Sequence, residues 1–215
     1  MDASRSRRRS FGAALAVMIS LSGAASVAVS ATSASATTTV LPCSSRVEST
    51  PFARWGDTHP YFLMPNGGFE SGSASWTLAG GASVGTGNES YYASGRTASN
   101  SLVIPAGGKA TSQTICVGRD ETWFRLFVKN PGVKDASLQV VVTVQDPRTG
   151  QVEHETFIID ARSLGAGWSP TVPLRIPTAT GGGIGTQNLT LAVNPIGARA
   201  TWSIDDVFID PFRMR

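Results

Sequence analysis

The sequence predicts an all-β antiparallel sandwich. Three observations predict it: short apolar runs at near-regular spacing, turn residues in the gaps between them, and two-residue alternation within the longest runs. The runs fall at 76–78, 101–104, 112–117, 123–128, 138–144, 152–159, 172–176, 189–193 and 202–209. Their breaks are turn chemistry, as in Asn130-Pro131-Gly132 and Asp146-Pro147-Arg148-Thr149-Gly150.

Alternation assigns faces. In the run from Thr122 to Lys129, Phe124, Leu126 and Val128 share one face, and Trp123, Arg125, Phe127 and Lys129 the other. Between Ser137 and Gln145, Leu138, Val140, Val142 and Val144 oppose Gln139, Val141, Thr143 and Gln145. The aliphatic faces belong to the core. The opposite faces carry Trp123, Arg125, Gln139 and Thr143, a polar surface with a ring on it, which suits either a sugar or plain contact with water. Tyr91-Tyr92, a loop pair, is the other ligand candidate, while Trp76 and Trp202 read as core.

Three parts organise the chain: 1–36, 37–65 and 66–215. In the first, Arg5, Arg7, Arg8 and Arg9 precede an apolar run rich in Ala and Ser, and Ala34-Ser35-Ala36 ends it with a small-x-small pattern. This is the form of an export signal, by a twin-arginine or a general secretory route. Its four arginines and one aspartate account for the whole formal charge of +3. The remainder is near neutral, so no basic field draws nucleic acid. No other apolar run is long enough for a membrane span. Residues 37–65 lack a helical period and read as an extended arm bearing Trp55 and Tyr61.

About 180 residues of mature chain suffice for one core without obligatory cross-links. Cys43 and Cys116 are nevertheless an even pair in an exported chain, which predicts a disulfide; free thiols and intermolecular pairing are the alternatives. With no CxxC spacing and only two histidines, His59 and His154, the chain offers no closed zinc site.

Catalytic constellations are absent from the sequence. It holds no GxSxG or HExxH, and Gly181-Gly182-Gly183-Ile184-Gly185 lacks the lysine of a phosphate loop. His154 reads as a cross-strand polar residue. Asp205 and Asp206 are neighbours on a strand and should point to opposite faces, which prevents their acting as a glycosidase pair. The expectation is no enzyme.

Two end motifs carry a resemblance: Asn66-Gly67-Gly68-Phe69-Glu70-Ser71 and Trp202-Ser203-Ile204-Asp205-Asp206-Val207-Phe208-Ile209-Asp210. They resemble the opening and closing strands of jelly-roll carbohydrate-binding modules of the galactose-binding-like superfamily, the type attached to xylanases. The resemblance implies a non-catalytic module binding cell-wall or plant polysaccharide, here as a stand-alone secreted, extracellular bacterial monomer; the alternative is a structural or protein-interaction role at the cell surface. It also implies a structural calcium ion held by the side chains of Glu70 and Asp205 and the backbone carbonyl of Gly68. The following stretch departs from the family, having Arg96 where such modules often place another carboxylate. Arg96 pairing with Glu70 or Asp205 is therefore the alternative to calcium.

Overall fold

Among the described residues, strand-forming stretches rich in Val, Ile, Thr and aromatic residues become fourteen strands, joined by turns whose chemistry is local. The hairpin between β9 (Ser137–Gln145) and β10 (Val152–Asp160) shows how. Asp146 Oδ1 accepts from the backbone N–H of Arg148 at 2.7 Å and of Thr149 at 3.3 Å, and Gly150 completes the turn at φ +74°. A computed structural model describes residue 43 and residues 46–179, 185–197 and 200–211. Residues 1–36, the expected export signal, and the glycines at 181–183 lie outside the described residues.

The strands form two antiparallel sheets. In one, the order is β10, β9, β13 (Thr186–Ile196), β6 (Lys109–Ser112) and β3 (Trp76–Ala79), with β7 (Ile115–Gly118) also paired to β13. The predicted run 112–117 is thus two strands, each covering part of the same edge of β13. The other sheet centres on β14 (Trp202–Asp210). One side of β14 pairs with β8 (Trp123–Lys129); the other pairs first with β5 (Asn100–Ile104), then with β2 (Tyr61–Leu63). β1 (Glu48–Ser49), β4 (Ser83–Thr86), β11 (Trp168–Pro170) and β12 (Leu174–Arg175) complete that sheet.

Between the sheets lies the main core, holding Phe124, Leu126 and Val128 of β8, Leu138, Val140, Val142 and Val144 of β9, and both Trp76 and Trp202. A second, smaller cluster forms on the other face of β8: Phe52, Tyr61, Phe127 and Phe208. Here the expected solvent face of β8 is corrected. Residues 50–63 fold across it, burying Phe127 completely and leaving Arg125 7% exposed. The segment is also more than an arm, because β2 is hydrogen-bonded into the sheet beside β14. A disulfide joins Cys43 to Cys116 on β7 and ties its beginning to the opposite sheet.

The two end motifs meet. Val207 donates its N–H to the Gly67 carbonyl at 3.2 Å and accepts from Met64 N–H at 2.8 Å. A Cβ on Gly67 would lie 2.9 Å from the Val207 carbonyl oxygen, so the glycine is required by this close approach. Opposite it, β14 carries a bulge between Asp205 and Phe208, with Asp206 at φ +46°. The bulge breaks the two-residue alternation. Asp205 and Asp206, expected on opposite faces, are both fully buried.

Candidate functional site

A 3₁₀ turn over Ala53–Trp55, ended by Gly56 at φ +83°, and the irregular stretch that follows it place Trp55, Asp57, His59 and Tyr61 along one cleft, with Trp123 and Arg125 of β8 opposite. Val172, Pro173 and Asp210 close the rest of a cleft of about 380 Å³. The organising group is Asp57. Its Oδ2 accepts from the Tyr61 hydroxyl at 2.7 Å and from Arg125 Nη1 at 2.9 Å, and its Oδ1 lies 2.9 Å from His59 Nδ1. Burial opposes ionisation of Asp57, but the hydrogen bonds from Tyr61, His59 and Arg125 outweigh it and hold the carboxyl below its ordinary range. The Tyr61 hydroxyl is pushed up, by burial and then by its bond to Asp57. Arg125 is fixed further by the Thr171 carbonyl, 2.8 Å from Nε, and by the Phe52 ring, 4.0 Å from its guanidinium carbon.

Two ring walls border this polar floor. Trp55 is 37% exposed and packs edge-on to Tyr91 with centroids 4.8 Å apart. Trp123 is half-buried. The cleft can therefore offer apolar faces beside fixed donors and acceptors, the combination a pyranose needs for its C–H face and its hydroxyls.

The residues singled out in the sequence separate. Trp123 and Arg125 line the cleft, but Gln139 and Thr143 sit on β9 in the opposite sheet, so the four share no face. Thr143 instead pairs across strands with His154, Oγ1 to Nδ1 at 2.9 Å. Tyr91 supports the cleft from behind, its ring against Trp55 and Phe127 and its hydroxyl donating to the Trp168 carbonyl at 3.2 Å. Tyr92 is 50% exposed, at φ +56°. Missing from the sequence reading were Asp57, His59 and Asp210, and Trp55 and Tyr61 as lining. Part of the signal was the every-second-residue spacing of Asp57, His59 and Tyr61, whereas Trp55 reaches the cleft from the 3₁₀ turn that ends at Gly56.

A second polar site lies where the end motifs cross. Glu70 accepts from the backbone N–H of Ser99 and Asn100, each at 2.8 Å, and from both their side chains. Asp205 accepts from Glu89 N–H at 2.8 Å and Asp206 N–H at 2.9 Å. Asp206 Oδ2 accepts from Ser94 N–H at 2.9 Å, whereas its Oδ1 is buried without a hydrogen-bond partner, 2.8 Å from where a Gly68 Cβ would stand. Beside them Glu89, fully buried, accepts from the N–H of Tyr91 and of Ala93. Burial first, and then Asp206, pushes the Asp205 carboxyl up to about 9; burial and the charges of Glu89 and Glu70 push Asp206 up to about 6.

Both carboxylates of the expected trio of Gly68, Glu70 and Asp205 accept hydrogen bonds here, Asp205 fully buried and Glu70 exposed at the edge of the pocket that Gly68 lines. Among the described residues no three His, Cys, Asp or Glu are grouped to hold a metal. The open oxygen is on Asp206, and Glu70, Gly68 and Ser94 line a pocket of about 140 Å³ next to it. The arginine alternative is corrected as well: Arg96 is exposed and makes no ion pair among the described residues, and the partners of Glu70 are Ser99 and Asn100.

No family model matches the sequence, and no curated protein matches it. Among solved structures, the chain is similar to the carbohydrate-binding and catalytic modules of a Clostridium thermocellum endo-1,4-β-D-xylanase complexed with xylohexaose, at 19% identity and TM-score 0.43, over 64% of this chain and 26% of that one. It is similar to the module TmCBM61 in complex with β-1,4-galactotriose, at 17% identity and TM-score 0.42, over 71% of this chain and 98% of that one. It is similar also to a xylan-binding CBM22-1 domain from Paenibacillus barcinonensis, at 18% identity and TM-score 0.43, over 69% of this chain and 93% of that one.

Proposed function

We propose that the protein is an exported, non-catalytic module that binds a plant or bacterial cell-wall polysaccharide in the cleft between Trp55 and Trp123. The observation that carries this reading is the cleft's make-up: two partly exposed indoles facing a floor of Asp57, His59, Arg125 and Asp210. Rings that only met water would leave apolar area unburied for no gain, whereas a sugar face covers it. A shallow site with two stacking walls supports affinities of roughly micromolar to millimolar.

The state of Asp57 supports the non-catalytic part of this reading as far as general-base chemistry is concerned. A carboxylate held below its ordinary range by three donors is a weak base and gives up its lone pairs poorly. Export rests on the composition of residues 1–36, and intact-mass measurement of the secreted protein should give Thr37 as its first residue. Among the described residues no helix is long and apolar enough to cross a membrane. A structural calcium ion is proposed with one ligand changed: Asp206, whose Oδ1 is open, replaces Asp205 alongside Glu70 and the Gly68 carbonyl, with water completing the shell. A glycan array probed with protein beginning at Thr37 tests the function; the absence of any glycan signal would favour a structural or protein-interaction role.

A further inference from the structure

The charges on the floor of the cleft are partnered within the protein. Arg125, 7% exposed, is engaged by Asp57 and by the Thr171 carbonyl, and Asp57 is held further by Tyr61 and His59. Asp210 is 2% exposed and has a partner of its own. The rim is different. Arg175 stands on β12 directly opposite Trp123 of β8, as Leu174 stands opposite Phe124. Leu174 and Phe124 belong to the core, so Arg175 and Trp123 share the outer face on which the cleft lies. Arg175 is exposed and, among the described residues, makes no ion pair.

Side chains directly opposite each other on an antiparallel pair have Cβ atoms about 5 Å apart. A pyranose stacked on the Trp123 indole therefore carries its C5 substituent within reach of the Arg175 guanidinium. Where that substituent is a carboxylate, a planar fork of donors meets two oxygens in one plane, a match that a neutral hydroxymethyl group does not make. The other wall has a similar make-up. Arg54, in the 3₁₀ turn that carries Trp55, has its guanidinium carbon 5.3 Å from the Tyr91 ring centroid and likewise makes no ion pair among the described residues. Resting on the glycan reading of this cleft, we propose that it prefers an acidic polysaccharide, one containing uronic acid, and that Arg175 reads the carboxylate of the sugar stacked on Trp123. Stacking serves any pyranose; the guanidinium selects the uronate.

Calorimetry on the mature protein at neutral pH and low salt compares oligomers of galacturonic and of glucuronic acid with their methyl esters, which keep the sugar rings and remove the charge. In at least one pair the acid should bind about fivefold more tightly than its ester, a preference that salt reduces. Arg175→Gln should abolish the preference, bringing acid and ester to one affinity, with the melting temperature unchanged because the side chain is exposed. Arg175→Lys should keep part of it, since an ammonium retains the charge and loses the fork. Lys109→Gln, at an exposed position on β6 of the opposite sheet, removes the same unit of charge and should leave the preference at its wild-type value. Equal affinity for acid and ester in both pairs, or a preference that survives Arg175→Gln, would overturn the assignment and leave the glycan reading standing. A neutral glycan that binds while both acids fail to bind would do the same. Binding of none of these probes, nor of any glycan on the array, would remove the glycan reading itself.

Discussion

Asp57 and Arg125, 68 residues apart in sequence, meet in an ion pair of 2.9 Å that fastens the N-terminal segment to the outer face of β8. The bond does two things at once. It neutralises a guanidinium that is almost fully buried, and it sets Trp55 and His59, on either side of Asp57, along the cleft that Trp123 borders. An arm that drifted off this face would take half the candidate site with it.

The pair has a pH signature. Because the Asp57 carboxyl is held below its ordinary range in the folded chain, its contribution is present above the unfolded-state pKa and is lost as pH falls through the folded one. The stability due to the arm should therefore be intact at neutral pH and decline below about pH 4. Asp57→Asn should cost about 3 kcal/mol at neutral pH, since it leaves the buried Arg125 without its counter-charge, and should flatten the loss on the acid side. Thermal melts of both proteins from neutral to acid pH check this, and parallel curves would refute it.

Reduction tests the other attachment of the segment. The disulfide between Cys43 and Cys116 closes a loop of 73 residues, worth about 4 kcal/mol in the chain-entropy picture. Reduced protein, or a Cys43→Ser/Cys116→Ser double variant, should melt about 10 °C lower than oxidised protein. Full alkylation of both thiols without reductant would contradict the bond.

For the end-motif site, added calcium should raise the melting point of chelator-treated protein by several degrees, since an ion that binds only the folded chain stabilises it by mass action. Asp206→Asn should abolish the response. Asp205→Asn should preserve it, because both Asp205 oxygens already accept backbone N–H groups. A melting point unmoved by calcium assigns the site to hydrogen bonding alone.

Much of this fold was legible because the core strands obey simple alternation. Leu138 through Val144 of β9 and Phe124 through Val128 of β8 face inward where period two puts them. What failed was the assumption that the opposite face of such a strand meets water. Residues 50–63 return to cover β8, a long-range packing that no local pattern around Phe127 announces. Alternation also could not place Asp206, because a bulge with positive φ is a backbone event that reverses a side chain without a strong sequence mark. Nor could it say that β8 and β9 belong to different sheets, which is why Trp123 and Arg125 part from Gln139 and Thr143. Of the site that does form, Asp57, His59 and Tyr61 stand at a period of two that the arm was not expected to have, while Trp55 comes from a 3₁₀ turn that alternation does not describe.

The central claim is that the cleft between Trp55 and Trp123 binds sugar, and titration calorimetry of one array-positive oligosaccharide into wild type, Trp55→Ala and Trp123→Ala tests it most directly. Each ring is partly exposed, so both variants should stay folded, losing less than about 2 kcal/mol of stability. Each should weaken binding by about tenfold or more, as the loss of a stacking wall requires. Gln139→Ala, on the opposite sheet, should leave affinity unchanged. Wild-type affinity in both folded tryptophan variants, or a loss of binding in Gln139→Ala alone, would contradict the account.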